Sequence, residues 1–169
     1  MMPHTRPFAL SALVIALLAL LTLASQAVRA ADPKAPDART VAEATRYLHA
    51  IQFGETFLGG VRKANSAEGQ GSEFLGRILT ASPEEIETTV APAFAGHLTL
   101  KEARGLADFF SGPVGHKAVT QGEKALTSSE AQELERFGQS PLGKLAVTLT
   151  TYPAVRQEYF ALLQAKYSP

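Results

Sequence analysis

The 169-residue chain has no cysteine, no tryptophan, only two methionines, and as many acids as bases. Without cysteine no disulfide can staple an exported domain and no thiol is available for a lipid anchor, so a hydrophobic core must hold the fold. Sixteen Lys/Arg against 16 Asp/Glu give a formal net charge of zero. A balance of that kind leaves no basic footprint for nucleic acid or for an anionic membrane surface. Histidine is scarce as well. His49, His97 and His116 are the histidines beyond the amino-terminal segment, and none stands three or four residues from another. With no His-Glu-x-x-His pattern, a zinc site would have to be assembled wholly by folding, and no metal or other cofactor is expected. No apolar-polar alternation reads as a strand. Gly69 and Gly71 offer half of a dinucleotide fingerprint, but no strand precedes them and the third glycine is misplaced at Gly76.

One long apolar run is present, at the start. Arg6 is followed by the nearly unbroken apolar stretch from Phe8 to Leu23, and Val28-Arg29-Ala30 offers residues that a signal peptidase accepts. Residues 1–30 therefore read as a signal peptide cleaved near Ala30, giving a periplasmic product with no stable membrane span. The competing reading is an uncleaved anchor at the lower limit of spanning length. Cleavage would remove two of the 16 bases, Arg6 and Arg29, and none of the 16 acids, leaving a net charge of −2. Residues 31–39 are polar and proline-rich and read as a flexible leader, with one domain over 40–169.

Helix punctuation dominates that domain. Thr40 and Glu43 have the spacing of a capping box, and Val41, Ala44, Leu48, Ile51 and Leu58 then recur every three or four residues. The pattern predicts a first helix ending near Gly59-Gly60, then a flexible loop from Ala64 to Ser72. A short helix over Glu73–Leu79 follows. Ser82-Pro83-Glu84-Glu85 is a strong helix start, with Ile86, Val90, Ala93 and Phe94 as its buried stripe, a bend at Pro92 and a stop at Gly96.

The stretch from Leu98 then recurs without a gap from Leu126, giving copies at about 98–121 and 126–149. Thr99 aligns with Thr127, Glu102 with Glu130, Leu106 with Leu134, Phe109 with Phe137, Pro113 with Pro141 and Gly115 with Gly143. Each copy reads as a helix hairpin. A Thr/Glu capping box opens it, a Ser-Gly-Pro or Ser140-Pro141 turn restarts it, and Leu134, Phe137, Leu142, Leu145, Ala146 and Leu149 pack the second. Two copies are too few for an open solenoid, so the flanking helices, including one after Pro153, must close a shared core. The expected fold is all-α: a single compact helical domain containing two repeated helix hairpins.

The segment Thr99-Leu-Lys-Glu-Ala-Arg-Gly-Leu-Ala-Asp-Phe-Phe-Ser-Gly-Pro-Val-Gly-His-Lys resembles the signature of the domain of unknown function family 2059. Its pattern is T-x-x-E-x-x-x-L-x-x-F-Y/F-x-S-P-x-G-x-K. Here Gly112 stands where a serine is usual before the proline. The second copy restores that serine as Ser140, but carries Gly138 for the second aromatic and Leu145 for the lysine. The resemblance implies an all-helical periplasmic domain of a Gram-negative bacterium, and it brings no established activity.

No residue pattern names a reaction. Glu102 and Glu130 recur in register, but capping explains them, and capping likewise explains Ser111 and Ser140, neither of which lies in a Gly-x-Ser-x-Gly elbow. Other polar positions change between copies, as where His116 meets Lys144. Phe53, Phe57, Phe109 and Phe110 are candidate groove aromatics, since Phe53 and Phe57 fall off the main stripe of the first helix. The leading expectation is a non-enzymatic binding domain whose partner is a protein of the cell envelope. The alternatives are a carrier of a small apolar ligand in a helix-lined cavity, or an enzyme assembled from scattered residues such as Glu55, His97 and His116.

Overall fold

Most of the helices begin at a capping side chain, a proline or a forced turn, and the computed structural model describes residues 35–67 and 73–168. The expected signal peptide, most of the expected leader and the Gly69/Gly71 pair lie outside those residues. Among the described residues there are nine α-helices and no strand. The first half contains α1 (Ala38–Ala50), α2 (Phe53–Ala67), α3 (Glu73–Ile78) and α4 (Pro83–Ala95). The two copies then supply α5 (Leu100–Ser111) with α6 (Pro113–Gln121), and α7 (Ser128–Gln139) with α8 (Pro141–Thr151). A 3-10 turn at Glu123–Ala125 links them, and α9 (Pro153–Tyr167) closes the chain.

Two expectations for the amino-terminal part need correction. Order begins before Thr40: the Asp37 carbonyl accepts the Val41 N–H at 3.0 Å, so the helix starts at Ala38. Thr40 lies buried inside it, and Glu43 is drawn to Arg46 at 2.7 Å and Arg104 at 3.1 Å instead of closing a box. The long first helix is also two helices. Gln52 takes a left-handed φ of 54° and turns the chain between them, and α2 runs through Gly59-Gly60 and into the expected loop as far as Ala67. This break explains why Phe53 and Phe57 fell off the stripe of α1. They belong to a second helix with its own stripe of Phe57, Leu58 and Val61, all buried.

Helix α4 is the centre of the core. Its buried residues Ile86, Glu87, Val90, Ala91, Ala93, Phe94 and Ala95 occupy nearly every face, as expected of a helix enclosed by neighbours. Helices α1, α2 and α9 surround it. Its start is set by Ser82, whose hydroxyl accepts the Glu85 N–H at 3.1 Å, with Pro83 at the first helical position. On its far side α9 contributes Val155, Tyr159 and Leu163 and is clamped by Glu85, which receives Lys166 at 2.8 Å and the Tyr167 hydroxyl at 2.9 Å.

The two copies share their joints. In the first, Thr99 N–H donates to Glu102 Oε2 at 2.8 Å and Glu102 N–H donates to the Thr99 hydroxyl at 3.3 Å. In the second, Thr127 and Glu130 exchange the same bonds at 2.7 and 3.4 Å. The Pro-x-Gly element has a shared steric reason. A methyl group at Gly115 would run into the Phe109 carbonyl, and one at Gly143 into the Phe137 carbonyl, so only glycine lets the restarted helix cross its predecessor this closely. Phe109 and Phe137 stack face to face, with ring centroids 3.5 Å apart.

Their surroundings differ. Helix α5 buries Ala103, Leu106 and Ala107, packs along α1, and sets Phe110 against Tyr47 at 5.7 Å. The equivalent α7 has no buried residue at all; Leu134 and Phe137, expected as packing positions, are only half-buried. Among the described residues no helix covers the face of α7 that corresponds to the α1-facing side of α5. Ala107 and Phe110 are accordingly replaced there by Glu135 and Gly138.

Two outcomes follow from these joints. Gly115→Ala and Gly143→Ala should each destabilise the protein by about 1–3 kcal/mol, because the obstructing atoms are backbone. Gly138→Ala, with open space around it, should instead stabilise α7 by up to ~1 kcal/mol; urea unfolding of the three variants checks both signs. Glu130 titrates at about 2, below its ordinary 4.5, because Lys117 at 2.8 Å and then the Thr127 backbone N–H favour its ionised form. Its contribution to stability is therefore complete above pH 4.5 and lost as the pH falls through about 2. An NMR titration of the Glu130 carboxyl should show that midpoint, and Lys117→Ala should move it upward.

Candidate functional site

Three helix starts and two helix ends meet around one cleft of about 350 Å³. The end of α1 brings His49 and Ala50, and the left-handed turn brings Gln52. Helix α2 adds Glu55, the start of α4 adds Pro83, Glu84 and Glu87, and the joint between α5 and α6 adds Ser111 and His116. Close backbone approach shapes the cleft: a Cβ at Gly54 would collide with the Pro83 carbonyl, so a side chain there would push α2 off the start of α4.

Glu87 organises this junction. Its side chain is 3% exposed, and a carboxylate buried to that degree needs partners. One oxygen, Oε1, accepts the Gly54 N–H at 3.2 Å, satisfying a free amide in the first turn of α2. The other, Oε2, lies 3.1 Å from His49 Nδ1. With Nδ1 engaged, Nε2 is the ring nitrogen of His49 left to meet a ligand, and 69% of the side chain is exposed. At the start of α4, the Glu84 carboxyl is held below the usual carboxylate range. Its own backbone N–H is the main cause, followed by the Ser82 hydroxyl, with the His49 charge a smaller one.

The sequence candidates distribute unevenly over this site. Glu55 and His116 do meet in the cleft, whereas His97 pairs with Glu158 at 3.0 Å and lies edge-on to Tyr152 in the turn before α5. Glu102 and Glu130 stay in their capping boxes. Ser140 caps α8 by accepting the Gly143 N–H at 3.0 Å. Ser111 corrects the expectation made for it: it is the last residue of α5, Gly112 occupies the cap of α6, and the serine lines the cleft. The aromatics expected to line a groove pack against other aromatic rings. Phe53 lies 5.4 Å from Phe94 and 5.8 Å from Tyr159, Phe57 is 3% exposed, and Phe109 and Phe110 pack on Phe137. His49 and Glu87 were not singled out in the sequence. A signal for Glu87 existed, since it stands in helical register with Val90, Ala91 and Phe94, an acid on an apolar stripe.

Among the described residues no group of three or more His, Cys, Asp or Glu is placed to hold a metal ion, and no helix is long and apolar enough to cross a membrane. The fold and its joints define a class: an all-helical domain built round a duplicated capped hairpin. Residues 84–126 match the family model described as "Uncharacterized protein conserved in bacteria (DUF2059)". The matched stretch runs from the first turn of α4 through the first copy, so it contains Glu84, Glu87, Ser111 and His116 but not the α1–α2 side of the cleft. No curated protein and no solved structure matches the chain.

The geometry gives Glu87 a measurable role. Glu87→Leu strands the Gly54 N–H and the His49 ring together and should cost about 1–3 kcal/mol, whereas Glu87→Gln keeps an acceptor for Gly54 and should cost less. Thermal unfolding of the pair checks the order.

Proposed function

We propose that this protein is an exported, periplasmic domain of a Gram-negative bacterium that works by binding a component of the cell envelope in the cleft at its helix joints, without turnover. The observation that carries this reading is the fixed, buried Glu87 carboxylate, which holds His49 beside an open cleft that Gln52, Glu55, Glu84, Ser111 and His116 also line. The amino-terminal run of residues 1–30, with its small-residue cleavage sites, supports export. The aromatic side chains lend no support to an apolar carrier, because the large ones are engaged with one another. An acid-base enzyme is the second reading, favoured by the same His49–Glu87 pair, since a histidine held by a carboxylate is one arrangement of a general base.

Recovery from periplasmic extract tests the proposal. The wild-type protein should be found there without residues 1–30 and should carry a partner or ligand, detected by native mass spectrometry, that His49→Ala fails to retain. Retention in the cytoplasm with the amino-terminal segment intact would sink the export reading. A substrate consumed by wild type but not by His49→Ala would replace binding with catalysis.

A further inference from the structure

We draw no further inference here: the strongest candidate, the face of α7 around Leu134 and Gly138 that no helix covers among the described residues, carries nothing, because nothing in the structure shows what would cover it.

Discussion

A buried carboxylate on the most enclosed helix constrains everything around it. Helix α4 is covered by α1, α2 and α9, and Glu87 sits within that cover with its ionisable oxygens turned to Gly54 and His49. Leaving such a group without partners would cost far more than one surface ion pair contributes, so the α1–α2 turn has to come to α4 and stay there. The left-handed Gln52 and the absent side chain at Gly54 make that approach sterically available. The cleft is the remainder of this arrangement: the space left where helix ends are pinned together by one acid while their own polar side chains point outward.

The duplication shows how much of a helical unit is joint and how much is surroundings. Both copies keep the Thr/Glu box, the proline and the glycine, because each answers to atoms within the copy: free amides at the helix start, or the carbonyl that the restarted helix crosses. What differs answers to atoms outside it. Phe110 has Tyr47 to pack against, and its counterpart Gly138 has open space. The second copy's departures from the family pattern are therefore those that an uncovered face permits.

Helix content, the repeat and the capping residues from Ser82 onward, Ser111 excepted, were legible because they depend on neighbours three or four positions away. The Thr40–Glu43 box had the same spacing and failed, since the helix had already started at Ala38 and the two side chains were taken by burial and by Arg46 and Arg104. Spacing alone does not say where a helix begins. The break at Gln52 was hidden for a related reason: glutamine carries no bias toward a left-handed turn, and the turn is held by the contact of Gly54 with Pro83, far along the chain. Of the site, Glu55 and His116 were named without their setting. Glu87 went unnamed and His49 was weighed only as an isolated histidine, because their pairing joins two helices and leaves no local pattern beyond one acid on an apolar stripe.

Helix α7 carries a consequence of its own. With no residue buried, it has little tertiary packing to hold it, and a segment of that length is marginal as an isolated helix in water. Its capping box and the Phe137 stack are what keep it formed. Its amides should accordingly exchange with solvent through local fraying, while those of α4 wait for the whole molecule to open. Its first-copy counterpart α5, packed along α1 with Ala103, Leu106 and Ala107 buried, should resist exchange better than α7 does.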